Sequence, residues 1–238
     1  MKTMFLALAL ALPLGFSAAS AAETASPTLD KARTAVVVTD PQNDFLAENG
    51  KLHKLLAENL KELGTVDNIE KLMKAAKQNG IAVAVDPLVY TNLDAEWSRA
   101  GVLQRQLLDL KALHRASLDD PKGFEGSGAD FFEHYKPLIL DGRTIVVAPH
   151  KMYGPESNDL VYQLRSRGID TVVLAGMVAN LCVDSHMRAL MENGFRVWVV
   201  KDAVGAPGAD AYKAALVNYG MIANGVLTTA EAVAAMGR

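Results

Sequence analysis

The chain contains a single cysteine, Cys182, among its 238 residues, which excludes an intramolecular disulfide framework and any structural zinc site built from several cysteines. Whatever Cys182 does, it does as a thiol or through another chain. An excess of one charge is also missing. The 24 Lys and Arg against 27 Asp and Glu give a net charge of -3, with no long run of either sign. That balance argues against nucleic acid or an anionic membrane as partner and favours a small-molecule ligand. Aromatic residues are only 6% of the chain, yet 50% of it is hydrophobic and 21% charged, which suits a full core and not a disordered tail. No apolar run reaches the roughly 20 residues of a membrane span. The one from Met4 to Phe16 is interrupted by Pro13, preceded by Lys2 and followed by the small residues of Ser17 to Ala22. It reads as a secretory signal peptide over residues 1–22, cleaved after Ala21 or Ala22. The expectation is an exported protein, secreted or periplasmic, with no membrane association after cleavage and one domain over 23–238.

Short β-branched runs recur at Thr34 to Thr39, Ile81 to Val85, Thr144 to Ala148, Thr171 to Ala175, Arg196 to Val200 and Gly225 to Thr228. Continuous apolar strands are those buried on both faces of a sheet. Helical patterns lie between them at Val66 to Gln78, Asn158 to Ser166, Ala179 to Glu192 and Asp210 to Tyr219, with Gly80, Gly168 and Gly194 placed as helix stops. This alternation predicts an α/β fold: three layers around a doubly wound, mostly parallel sheet of about six strands. The stretch from Pro87 to Gly142 breaks the rhythm and is too long for a simple connection. It carries one amphipathic helix, with Leu103, Leu107 and Leu110 on its apolar side, and a glycine-rich segment up to Gly128. Such an insertion is either a lid over a binding site or an oligomer contact.

Ligands of open parallel sheets bind beyond the carboxyl ends of the strands. Asp40 ends the first strand, Lys151 follows the third and Cys182 follows the fourth, so the three can meet in one crevice. Cys182 would stand in the first turn of a helix, where free N–H groups and Lys151 would favour a thiolate. Asp40 could carry the thiol proton, and the same N–H groups could hold an oxyanion. Each residue also has a plainer reading: Asp40 as a turn former before Pro41, Lys151 as a solvated loop charge, Cys182 as a small buried hydrophobe.

Three motifs in order, Asp40-Pro-Gln-Asn-Asp-Phe45, Lys151 followed by Asn158-Asp159-Leu160, and Ala175-Gly-Met-Val-Ala-Asn-Leu-Cys182-Val, together with Gly194 and Asp202, resemble the isochorismatase-like cysteine hydrolases. The resemblance covers roughly residues 32 to 235 and is weakest in the insertion. It implies Cys182 as nucleophile, Asp40 as proton-handling carboxylate and Lys151 as the cation that activates them. It also implies a cis peptide bond at Met177-Val178 and an oxyanion hole from the N–H groups of Val178 and Cys182. Phe45 and Tyr153 are expected as walls of the substrate pocket, Trp97 of the insertion as either a lid aromatic over the substrate or a surface anchor, and a homodimer or homotetramer as the assembly.

The nicotinamidases of this family carry an Asp-x-His pattern for a metal after the second strand. Here Val85-Asp86-Pro-Leu-Val-Tyr90 has no histidine, so neither a metal nor another cofactor is expected. The thiol favours a C–N bond in an amide or ureide over a vinyl ether. His186, four residues after Cys182 and on the same helix face, invites a Cys-His dyad or simple packing, and His150 a pocket-lining or carbonyl-bonding role. Three alternatives to an amidohydrolase remain: an isochorismatase-type vinyl-ether hydrolase, a non-catalytic binding protein on the same fold, and a redox role for the lone thiol.

Overall fold

The computed structural model describes residues 27–119 and 121–238, and the signal-peptide reading lies outside them. In chain order the elements are β1 (Thr34–Thr39), α1 (Asn43–Leu46), α2 (His53–Leu63), α3 (Thr65–Gln78), β2 (Ala82–Asp86), α4 (Val102–Asp109), α5 (Lys136–Ile139), β3 (Ile145–Val146), α6 (Leu160–Arg165), β4 (Thr171–Met177), α7 (Asp184–Glu192), β5 (Arg196–Gly205), α8 (Ala209–Ile222), β6 (Gly225–Leu227) and α9 (Thr229–Met236). All six strands pair in parallel, in the order β3-β2-β1-β4-β5-β6. Alternate residues along each strand enter two separate cores. Val36 and Val38 of β1, with Val173 and Ala175 of β4, pack on one face against α2, α3, α9 and part of the insertion. Ala35, Val37, Val172 and Leu174 pack on the other against α6, α7 and α8. This double burial explains why the strands read as unbroken apolar runs. Among the described residues no helix is long and apolar enough to cross a membrane.

The strand order reverses between β1 and β4, which are neighbours although β2 and β3 come between them in the chain. A crevice must open there beyond the carboxyl ends of these two strands. Asp40 stands at the end of β1, and Cys182 lies five residues beyond Met177, the end of β4.

Several sequence expectations need correction. Leu110 lies just past the end of α4 and is exposed, because the helix stops at Asp109. The helix expected to start at Ala179 begins as a π-helical turn, Ala179–Val183, and becomes α-helical only at Asp184. Helix α6 starts two residues later than expected, since Asn158 is drawn away by side-chain bonds to Asp86 Oδ1 (2.6 Å) and the Ala148 carbonyl (2.9 Å). Gly80, Gly168 and Gly194 do end helices with positive φ.

The insertion is tied to the sheet at several points. Gln42 donates through Nε2 to the carbonyls of Leu88 (2.9 Å) and Ala129 (2.7 Å) and accepts at Oε1 from the Leu88 N–H (2.9 Å). Asp44 accepts from the Leu113 N–H at 2.5 Å. Its buried side chains, Tyr90, Leu107, Ala112, Leu113 and Tyr135 among them, extend the core of one face.

Candidate active site

At Gly176, φ is +121°, and a Cβ there would lie 2.1 Å from the Thr39 carbonyl oxygen; only glycine permits β1 and β4 to approach this closely. Thr39 Oγ1 in turn donates to the Met177 carbonyl at 2.9 Å. The Met177-Val178 peptide is cis, as the resemblance implies. The turn that follows carries Cys182 into the core with 2% of its surface exposed.

Asp40 has φ of +50° and no exposed surface. Its N–H donates to the Asp86 carbonyl at 2.8 Å, which fixes the end of β1 to the end of β2. One carboxylate oxygen, Oδ1, pairs with Nε2 of His150 at 2.8 Å. The other, Oδ2, is buried and meets no donor of ordinary geometry among the described residues, which leaves it free to take a proton.

The Cys182 thiol donates to the Met152 carbonyl at 3.2 Å. Burial pushes it well above its ordinary range, the negative charge of Asp40 adds to this, and the Val178 N–H aimed at the sulfur opposes both. The resting side chain is therefore a thiol. This corrects the expectation of a thiolate: burial and the Asp40 charge outweigh the Val178 N–H, and the Lys151 ammonium is bound to Asp94 and the Val89 carbonyl.

Lys151 is the second correction. Its ammonium donates to Asp94 Oδ2 (2.5 Å) and the Val89 carbonyl (3.0 Å) and lies 5.9 Å from the ring centres of Tyr90 and Trp97. It fastens the start of the insertion; the residue that meets Asp40 is its neighbour, His150. His150 forms a parallel bridge with Leu88 at the sheet edge, which places its ring against Asp40, while the Lys151 side chain runs to Asp94 and the Val89 carbonyl. Burial alone would lower the imidazole, but the charge and hydrogen bond of Asp40, with a smaller pull from Asp86, raise it to about 9. The pairing with Asp40 thus favours the imidazolium, while its Nδ1 meets no partner among the described residues.

His186 does not form a dyad with the thiol. Its Nδ1 meets the Cys182 carbonyl oxygen at 2.6 Å, so that nitrogen carries a proton, and its Nε2 faces Asp86 Oδ2 at 2.9 Å. The rings of His150 and His186 stand edge to face, 4.9 Å apart. Asp86, His150 and His186 each offer a ligand atom within 4.8 Å of the others, a spacing that can hold a metal ion although the sequence near Asp86 shows no histidine. The Nδ1 contact commits one ring nitrogen of His186 to the Cys182 carbonyl and leaves Nε2 facing Asp86 Oδ2 as the atom that could join a metal ion. No local motif could have revealed this layer, since its members lie 36 to 100 positions apart.

Phe45 and Val178 line a cavity together with Cys182, which also takes in Leu103 and Leu107 of α4. Trp97 and Tyr153 do not line it. Trp97 packs edge to face on Tyr90, with centroids 5.9 Å apart, and Tyr153 is exposed.

A model of the Isochorismatase domain family matches residues 34–231. The chain is 29% identical over 168 residues to the ureidoacrylate amidohydrolase RutB of Acinetobacter baylyi, covering 70% of this chain and 68% of that one. In structure it is similar to a cysteine hydrolase from Pseudomonas syringae pv. phaseolicola (TM-score 0.69, 23% identity, 88% and 95% of the two chains). The N-carbamoylsarcosine amidase of Thermoplasma acidophilum shares the same fold (TM-score 0.59, 21% identity, 83% and 96%). Carrying the matched domain across nearly all of its described residues, the chain belongs to the isochorismatase family and is a hydrolase.

Proposed function

We propose that this chain is a cysteine hydrolase that cleaves the C–N bond of a small amide or ureide through a thioester on Cys182. The observation that carries the reading is the buried Cys182 thiol beside the Asp40 carboxylate at the reversal of strand order, with the Val178 N–H on the sulfur. Relatives named as an amidohydrolase and an amidase support the choice of bond.

When substrate enters, Asp40 takes the thiol proton and the sulfur attacks the carbonyl carbon. The oxyanion of the tetrahedral intermediate is held by the N–H groups of Val178 and Cys182. Asp40 returns the proton to the nitrogen as the C–N bond breaks, and the amine leaves. Water then attacks the thioester with Asp40 again as base, releasing the acid and restoring the thiol. His150 takes the part that the resemblance gives to Lys151. Its hydrogen bond to Oδ1 fixes the orientation of the carboxylate. The leader-like residues 1–22 support export, and a homodimer or homotetramer is the assembly we expect.

Cys182→Ala should abolish turnover of any amide the protein hydrolyses while leaving its melting temperature within a few degrees. Full activity in that variant would sink the thioester mechanism.

A further inference from the structure

The cavity that ends at the Cys182 sulfur has a volume of about 180 Å³, and apart from the thiol every side chain lining it is apolar. Helix α2 contributes Leu55 and Leu56, α4 contributes Leu103 and Leu107, and Met152 and Leu181 come from the segments beside the nucleophile. No lysine, arginine, histidine, hydroxyl or amide side chain lines it. Of the nearby polar groups, the Lys151 ammonium is bound to Asp94 and Val89 and His150 to Asp40, while the unpartnered Asp40 oxygen would repel a second carboxylate. A substrate carboxylate placed here would lose its hydration with nothing to replace it. A hydrocarbon would exchange water for close packing.

From this geometry we infer that the substrate carries an apolar, uncharged acyl group, so that within the amide reading above the protein takes aliphatic or aromatic carboxamides and discriminates against ureides and against monoamides of dicarboxylic acids. Size follows from volume. A dry apolar cavity of about 150 Å³ is enough to bind benzene, so this one holds a benzene-sized ring or a chain of a few carbons. The inference rests on the thioester reading, and it assigns the insertion a role: α4 supplies part of the wall that selects the acyl group.

The test uses 4-nitrophenyl esters of acetic, butyric and 4-methylpentanoic acids and the 4-nitrophenyl hemiester of succinic acid. The last two differ in carrying an isopropyl group or a carboxylate at the far end. In each case the Cys182 sulfur displaces 4-nitrophenolate, Asp40 accepts the thiol proton, and water hydrolyses the thioester. Nitrophenolate release gives kcat/KM, and intact mass reports acylation of the only thiol. We expect kcat/KM to rise about threefold to fourfold per methylene from acetate to butyrate, and 4-methylpentanoate to exceed hemisuccinate by at least a hundredfold. Leu55→Arg provides a second arm. Leu55 lies in the cavity lining yet is 62% exposed, so the variant should fold, and its new cation should narrow the gap between those two esters by tenfold or more. Equal rates for the two esters in wild type, or a preference for hemisuccinate with Cys182 acylated, would overturn the inference alone. No acylation of Cys182 by any ester would overturn it together with the thioester reading.

Discussion

Two surfaces meet at Cys182, and they share almost no chemistry. Behind the sulfur, at the ends of β1 and β2, lies a layer of four fully buried ionisable groups, Asp40, Asp86, His150 and His186. In front of it lies a cavity whose walls are hydrocarbon. The buried layer is held by the strand ends and by charge-assisted hydrogen bonds, which tolerate little displacement. The wall draws on α2 and the insertion as well as on Phe45, Met152 and Leu181 around the nucleophile, and its requirement is shape. The contrast teaches that the sheet supplies the reaction while the added helices select what reacts, so damage to the two should register in different kinetic constants.

The largest effect should come from the polar layer. Asp40→Asn removes the proton carrier and should lower kcat by about 10²- to 10⁴-fold with little change in KM. A steady-state comparison decides it, and a loss confined to KM would move Asp40 out of the chemistry. Gly176→Ala comes next: the added Cβ meets the Thr39 backbone, so the variant should lose several degrees of melting temperature and most activity. A stable, active protein would mean that β1 and β4 can separate without harm to the site.

His150 gives a pH test. Its pKa is raised to about 9 from an ordinary value near 6.5. The pair with Asp40 therefore contributes its full stability below about pH 6.5 and loses it as pH rises through 9. The melting temperature of the wild type should fall over that window, and His150→Gln should flatten the curve. A flat wild-type curve between pH 6.5 and 9.5 would show that His150 is not charged at rest. The smallest effect is expected at Lys151. It pins the insertion through Asp94 and Val89, so Lys151→Met should cost about 1 kcal/mol of stability and raise KM for apolar substrates while sparing kcat. A kcat loss as deep as that of Asp40→Asn would place Lys151 back in the reaction.

Much of this was legible in the sequence, and the physical reason differs by element. Strands buried on both faces announce themselves as Val-rich runs, and the end of a strand locates Asp40 and Cys182 without any structure. Helix α2 escaped because Leu52, Leu56 and Leu60 turn inward while Leu55 does not, a pattern diluted by the surrounding charge. The choice between His150 and Lys151 was harder. Both are competent cations, they are adjacent, and a shift of one residue in an extended segment exchanges their directions. Only the register of the sheet edge, where His150 pairs with Leu88, decides it. The state of the thiol is hidden in the sequence for a related reason: burial and the neighbouring carboxylate outweigh the Val178 N–H, and neither is visible from the residues around Cys182.

A neutral Cys182 is governed by Asp40 and His150 and not by Lys151. The most direct measurement is the rate of alkylation of this single thiol against pH, followed by intact mass, in the wild type, Asp40→Asn and Lys151→Met. Labelling should be slow at neutral pH with an apparent pKa above the free-thiol value of about 8.5, lowered by Asp40→Asn and unmoved by Lys151→Met. A low apparent pKa that rises when Lys151 is removed would contradict it.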